Sequence, residues 1–438
     1  MFDLEPGAVT AIMFGGMMLL MVVGMPLSFA LGFMAMFSGV LMWGTSAIDM
    51  IFLSSVWMFS QITMVALPLF IFMGVMMERS GIMDELFTMI YKLMGALRGG
   101  LAIGIVGICV LVAAMSGVSG AATVAMGIIA VPALLKRGYD KRMITGAIQA
   151  GGALGFLIPP SVLMIFYALI TGTSVGKLFA GGIGAGLLLA CLFALYILIR
   201  CAVQPQVGPA IPPEERVSGV EKLKSLKALI LPGIIIFLVL GSMFLGLASP
   251  TEAAALGAAA SILCAVVRGT FKKNVFNEAL MSTTKTMGMV AWVIICATCF
   301  AKVYTALGAV KLAQSLIGDW TPLLTVCVTL ASLFVLGMFL DEGAIIFITA
   351  PLYVPLVTSQ GYDPVWYGVQ YMVVGQTAFL TPPFGYNLFY MRAVVPPEIT
   401  MGDIYKSVIP FVALQLLGTA IMIAFPQVIL WIPNHLFG

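Results

Sequence analysis

Charge is what this chain has least of. Only 9% of its 438 residues are Asp, Glu, Lys or Arg, against about 25% in a soluble domain. That shortage excludes an ordinary water-soluble globule. Histidine is nearly absent, with His435 near the C-terminus the only one. A Ser-His-Asp triad and a histidine-built metal centre are therefore excluded. The seven cysteines are scattered. Cys296 and Cys299 form one C-x-x-C, but inside an apolar run and without a second pair. They read as small apolar residues, not as a zinc or redox motif. The first residues carry Asp3 and Glu5 and no base, unlike the start of a cleavable signal. The net charge of +3 carries no nucleic-acid signal, because the bases sit in loops between apolar runs.

Hydrophobic residues make up 61% of the chain, and the mean hydropathy is +1.12. Apolar runs fill nearly its whole length, which makes it an all-α polytopic membrane protein. Residues 8–23 and 26–43 read as membrane helices, 46–61 as a segment lying partly in the interface, and 63–78 as a helix containing Pro68. Residues 82–98 are amphipathic. The run 100–135 is interrupted at Met115-Ser-Gly-Val-Ser-Gly-Ala121, leaving arms of about 14 residues, short of the ~20 that span a bilayer. A re-entrant hairpin is expected there. Residues 143–172 are broken at Gly155-Phe-Leu-Ile-Pro-Pro-Ser161, and 176–200 form a long apolar helix. Two adjacent prolines cannot both donate to a helix ladder, so the backbone opens. In lipid, opened backbone is tolerated only where it lines a cavity or is buried in protein.

Residues 203–227 are the only substantial polar linker. Beyond it the pattern recurs. Helices 228–247 and 252–267 come first, then an amphipathic 272–286 and a span 287–304. A second hairpin covers 321–357, a second break lies in 364–395, and 401–432 close the chain. Pro382 minus Pro159 is 223, and the same shift carries Gly138-Tyr-Asp140 onto Gly361-Tyr-Asp363 and Phe166-Tyr167 onto Phe389-Tyr390. One ungapped register through such landmarks is an internal duplication. The loop after the first hairpin holds Lys136, Arg137, Lys141 and Arg142, whereas its counterpart at 359–364 has no base. The positive-inside rule then places the two loops on opposite faces. The expected fold is two inverted-topology repeats with both termini outside. Lys177, Lys302 and Lys311 are left on the outer side.

Broken helices at equivalent places mark a solute and ion site at mid-membrane. Na⁺ candidates are Ser116 and Ser119 on the first tip with backbone oxygens of Gly155, Ile158 and Pro160. In the second half they are Asp341 with Thr377, Ala378, Thr381 and Pro383. Solute candidates are Thr123 and Ser161, which begin half-helices, together with Glu342 and Asn387. Asp341 and Glu342 are the only acidic pair deep in an apolar run, and an intramembrane carboxylate is expensive. The bland alternative is a shallow tip with both solvated. For Ser116 and Ser119 the alternative is small-residue packing. The run Gly181-Gly-Ile-Gly-Ala-Gly186 reads as close helix packing, Glu252 as a helix cap, and Tyr139 and Tyr362 as interface anchors.

Several stretches resemble the large membrane subunit (DctM type) of TRAP, or tripartite ATP-independent periplasmic, transporters. They are Leu67-Pro-Leu-Phe-Ile-Phe-Met-Gly74, Lys136-Arg-Gly-Tyr-Asp-Lys141, Gly155-Phe-Leu-Ile-Pro-Pro-Ser161, Thr171-Gly-Thr-Ser-Val-Gly-Lys-Leu-Phe179 and Leu336-Gly-Met-Phe-Leu-Asp341. The resemblance covers essentially the whole chain. It implies a Na⁺-driven secondary importer of an organic acid in a bacterial inner membrane, with a small membrane subunit (DctQ type) and a periplasmic substrate-binding protein (DctP type). It implies no organic cofactor and no enzymatic step. It also implies an elevator mechanism. Residues 98–202 and 319–438 would form the moving transport domain, 1–97 and 228–318 the scaffold, and 203–227 a cytoplasmic linker. The resemblance places Na⁺ between hairpin tips and Pro-Pro breaks. Glu342 departs from it, since many members carry an uncharged residue there. The chain opens directly on the large-subunit pattern, so the small subunit is expected not to be fused at its N-terminus. Two other readings compete: a stand-alone Na⁺/dicarboxylate carrier needing no binding protein, and an intramembrane enzyme using Asp341 and Glu342 as acid and base.

Overall fold

The computed structural model describes residues 5–117, 119–308, 312, 315 and 320–438, and its account of Ser119 is limited to the backbone. Every regular element among these residues is helical. The first five helices are α1 (Pro6–Val22), α2 (Leu27–Trp43), α3 (Ser46–Phe59), α4 (Ala66–Arg79) and the amphipathic α5 (Ile82–Met94). The first hairpin is α6 (Gly100–Ser116) and α7 (Ser119–Leu135), followed by the broken pair α8 (Lys141–Ala153) and α9 (Val162–Thr171) and the long α10 (Val175–Val203). After the linker come α11 (Gly219–Phe244), which passes through a 3₁₀ turn and a π-turn, and α12 (Pro250–Val267). Then follow α13 (Lys273–Ala306), the second hairpin α14 (Pro322–Gly337) and α15 (Glu342–Ser359), the broken pair α16 (Pro364–Phe379) and α17 (Tyr386–Val394), and finally α18 (Met401–Ala424) and α19 (Gln427–Phe437). Seven helical stretches are long and apolar enough to cross a membrane.

Each arm of the first hairpin has 17 residues, more than the 14 expected, or about 25 Å of helix. Residues 272–304 are not two elements. They form the single 34-residue helix α13, about 51 Å long, because no Pro stands between its amphipathic and apolar halves and the lone Gly288 there is too weak a breaker to end it. The closing run is divided instead, since Pro426 cannot continue α18 and starts α19. Ser249 and Glu252 form the expected capping box at the start of α12. Tyr139 is not an interface anchor: its ring is 3% exposed and its hydroxyl is buried. Tyr362 stacks on Trp366, with ring centroids 5.0 Å apart.

Helix α13 packs on α2 and α4 on one side and on α15 on the other. It therefore separates the N-terminal helices from the second hairpin. Lipid-sized apolar side chains remain exposed on α2 and α3, among them Phe33, Phe37, Phe52 and Trp57. The linker is docked more firmly than its polarity suggests. Gly208 O accepts from Gly99 N at 2.8 Å, Ile211 N donates to Gly95 O at 2.8 Å, and Asp140 N donates to Val207 O at 3.0 Å. Glu215 accepts the Tyr91 hydroxyl and pairs with Arg137 at 2.5 Å. These two donors, Tyr91 first, hold its carboxyl below the usual carboxylate range.

The glycine run on α10 sits where backbones approach most closely. A Cβ on Gly182 would lie 2.2 Å from Leu157 O, and one on Gly184 would lie 2.2 Å from Val428 O. Both obstacles are main chain and cannot swing aside. Gly182→Val is expected to lower the stability of the purified protein by about 1–3 kcal/mol. Gly107→Val on α6, where nothing lies within 4 Å, serves as its control. Equal thermal unfolding temperatures for the two variants would contradict this packing.

Candidate functional site

Each Pro-Pro break meets a hairpin tip. In the first half, α8 ends in a 3₁₀ turn at Leu154–Phe156, and the Pro159–Pro160 bond is cis. The tip residue Gly117 has φ +64° and accepts a hydrogen bond from Val162 N at 3.4 Å. A Cβ there would lie 2.2 Å from Pro160 O, so only glycine lets tip and break touch. In the second half the Pro382–Pro383 bond is also cis, and Phe384 N donates to Met338 O at 3.3 Å. A Cβ on Gly337 would lie 2.6 Å from that of Ala378. Asp341 caps α15, its carboxylate accepting from Gly343 N at 3.1 Å.

The two breaks converge on an aromatic pair. Phe156 and Phe379 stand edge to face with centroids 5.0 Å apart, a favoured geometry for aromatic quadrupoles. Beside them lies a cavity of about 190 Å³. Gly117 and Gly120 of the first hairpin and Asp341, Glu342 and Gly343 of the second line one side, while Met289, Val290 and Val293 of α13 line the other. Its only charged lining groups among the described residues are the two carboxylates. Asp341 is exposed to the cavity, whereas Glu342 is 8% exposed and its Oε1 has no hydrogen-bond partner. The alternative of two solvated carboxylates on a shallow tip thus fails for Glu342.

The other expected site residues are distributed unevenly. Ser116 is buried at the tip, with its backbone packed on Gly74 of α4. The side chain of Ser119 lies outside the described residues. Gly155 falls in the 3₁₀ turn, while the Ile158 side chain turns toward Gly186. Thr377 donates its hydroxyl to Val373 O at 2.6 Å, and Thr381 donates to Thr377 O at 2.7 Å. Their oxygens remain available as acceptors. Three of the four solute candidates lie off the cavity. The Ser161 hydroxyl donates to Phe156 O at 2.8 Å and accepts from Met164 N at 3.4 Å, bracing the break. Thr123 is buried against Gly152. Asn387 donates to Gln149 O at 2.9 Å, which ties α17 to α8. Backbone groups claim the Ser161 hydroxyl and the Asn387 amide nitrogen, whereas the Thr123 hydroxyl and Asn387 Oδ1 are buried without a hydrogen-bond partner.

Sequence reasoning missed the aromatic wall of Phe156, Phe166, Phe347, Phe379 and Tyr390, the α13 face, and buried Gln376. Phe156 and Phe379 differ by 223, the repeat offset, and subtraction alone would have found them. No period or motif marks the α13 residues.

The family model for the DctM component of the tripartite ATP-independent periplasmic transporter matches residues 14–428. The chain belongs to the DctM family. Among curated relatives, it is 34% identical over 381 residues to the C4-dicarboxylate TRAP transporter large permease DctM of Pseudomonas aeruginosa, covering 85% of this chain and 87% of that one. It is 30% identical over 383 residues to the ectoine TRAP large permease TeaC of Halomonas elongata, covering 86% and 87%. It is 28% identical over 426 residues to the sialic acid large permease SiaM of Vibrio cholerae, covering 96% and 97%. Two solved transporters share its fold at low identity. The YdaH transporter of Alcanivorax borkumensis has a TM-score of 0.62 at 16% identity, covering 92% of this chain and 98% of that one. MtrF of Neisseria gonorrhoeae has a TM-score of 0.63 at 15%, covering 89% and 85%. This DctM-family permease is therefore a multi-pass membrane transporter subunit whose relatives are permeases.

If tip and break must touch, Gly117→Ala is expected to cost about 1–3 kcal/mol through strain at positive φ and the clash with Pro160 O. Gly120→Ala meets only the Tyr390 ring edge at 2.7 Å, a side chain able to shift, and is expected to cost less. Thermal unfolding of both variants checks the order, and the reverse order would contradict the described tip.

Proposed function

We propose that this DctM-family chain is the membrane-embedded part of a Na⁺-coupled importer, taking up an organic acid delivered by a periplasmic substrate-binding protein. The observation that carries the reading is the cavity itself. Two hairpin tips, two opened helices and a buried acidic group meet there, against the flank of one long helix. Opened carbonyls and the Asp341 carboxylate supply oxygen ligands suited to a hard cation such as Na⁺. Amides at half-helix starts suit an anion. Ligands from Ser116, Gly155, Ile158 and Pro160 in one half, and from Asp341, Thr377, Ala378, Thr381 and Pro383 in the other, would form two Na⁺ sites flanking the solute. Relatives of the chain are named for C4-dicarboxylates, ectoine and sialic acid, which supports a carboxylate solute.

Motion follows from the arrangement. Residues 98–202 and 319–438 hold both hairpins and both breaks, and would slide as one transport domain against a scaffold of 1–97 and 228–318. The repeats would be inverted, with both termini periplasmic, the linker cytoplasmic and the protein in the inner membrane. A small membrane subunit would complete the tripartite system. Uptake supported fully without a binding protein would instead favour the stand-alone carrier.

Asparagine caps helices as well as aspartate does, so Asp341→Asn removes the charge and keeps the cap. In proteoliposomes with its partner proteins, the wild type is expected to accumulate solute under an inward Na⁺ gradient, and Asp341→Asn to lose at least tenfold. Its unfolding temperature without Na⁺ should remain within a few degrees of wild type. Undiminished Na⁺-driven uptake by this variant would overturn the Na⁺ assignment. A cysteine at Asp140 is expected to label from the cytoplasm and one at Asp363 from the periplasm. Labelling of both from one side would overturn the inversion.

A further inference from the structure

Glu342 poses a problem that Na⁺ at Asp341 does not solve. Its carboxylate is more than nine-tenths buried, Oε1 has no hydrogen-bond partner, and no ion pair to Glu342 is formed among the described residues. The start of α15 favours a negative charge there, but only by about 0.3–1 kcal/mol. An uncompensated buried carboxylate costs several kcal/mol. Behind it lies a small recess that Glu342 shares with Gln376, Phe156 and Tyr371. Gln376 is fully buried, and neither its amide nitrogen nor its amide oxygen is hydrogen-bonded. Two polar side chains on different helices therefore await a partner in this recess, and Glu342 also lines the cavity itself. The first turn of α7 also borders the cavity, with Gly120 on its wall. A helix start offers amide donors and partial positive charge. The walls between are aromatic and aliphatic.

We infer that the solute is a compact zwitterion, with a carboxylate facing the α7 start and a cationic nitrogen facing Glu342 and Gln376. The inference rests on the proposed carboxylate transport and narrows its substrate class. A dianion would set a second negative charge against Glu342. A zwitterion neutralises Glu342 and places its apolar middle along Phe156, Phe166 and Val290. Gln376 oxygen accepts a second N–H from the same nitrogen or from a neighbouring donor.

The test uses the purified permease with its small subunit in lipid nanodiscs, and reads thermal stabilisation in Na⁺. The probes are three zwitterions (ectoine, glycine betaine and carnitine) and two anions (succinate and isethionate). At least one zwitterion is expected to bind at least tenfold more tightly than either anion. Glu342→Gln, which keeps shape and removes charge, is expected to erase that preference while leaving any anion binding equal or stronger. Gln376→Leu is expected to weaken the zwitterion and spare the anions. A wild-type protein that responds to no zwitterion overturns the inference, as does tighter binding of succinate or isethionate, or a preference unchanged in Glu342→Gln. Na⁺-dependent binding of an anion alone would sink this inference and leave the proposed importer standing. Binding of zwitterions that is indifferent to Na⁺ would sink Na⁺ coupling and leave the inference standing.

Discussion

Backbone that leaves a helix inside a membrane must find other partners, and the architecture of this permease follows from that constraint. Two prolines open each broken helix, and no water is present in the hydrocarbon to satisfy the freed groups. The fold answers by bringing a hairpin tip to each break. Val162 N reaches Gly117 O, and Phe384 N reaches Met338 O. Ser161, Thr377 and Thr381 take up neighbouring carbonyls. Tips and breaks from both halves then meet at one place, the cavity beside Phe156 and Phe379, where Glu342 Oε1 is left without a partner.

Close packing keeps that place rigid on one side. Glycines at 117, 152, 182 and 184 let main chain or a hydroxyl approach to distances at which any Cβ would clash. The opposite side is different in kind. Helix α13 presents the apolar side chains of Met289, Val290 and Val293 to the cavity. Dispersion and hydrophobic contacts are non-directional, so such a flank permits sliding where a hydrogen-bonded one would not. The docked linker adds a polar fastening between Tyr91, Arg137 and Glu215 on the outside of the same boundary.

Much of this was legible in the residues alone. Prolines and glycines mark breaks and tips by local sterics, so both hairpins, both breaks and the 223-residue offset could be read directly. Charge asymmetry around Lys136–Arg142 gave an expected orientation. The family followed from motifs at 67–74 and 136–179 and was met by the match over residues 14–428. Less legible was which polar side chains face a solute. Thr123, Ser161 and Asn387 look alike in sequence to residues that bind, but Ser161 and Asn387 are captured by backbone within reach and Thr123 is buried against Gly152, and only tertiary contacts decide that. The continuity of α13 was missed because its hydrophobicity changes midway while its backbone has no reason to stop. Gln376 was missed because one buried amide in an apolar helix carries no periodic signal.

The central claim is that the elements bearing tips and breaks move against α4, α5 and α13 to carry the cavity across the membrane. A Cβ on Gly104 of α6 would lie 3.2 Å from that of Ile90 on α5, so a shift of a few tenths of an ångström reaches the ~3.5–4.5 Å of a disulfide, and neither residue lines the cavity. The decisive measurement is Na⁺-driven uptake by Ile90→Cys/Gly104→Cys protein, with exposed Cys191 and Cys327 replaced by serine, before and after oxidation. The account predicts that oxidation stops uptake, that reduction restores it, and that solute-induced stabilisation persists in both states. Uptake at the same rate with the disulfide formed would contradict it.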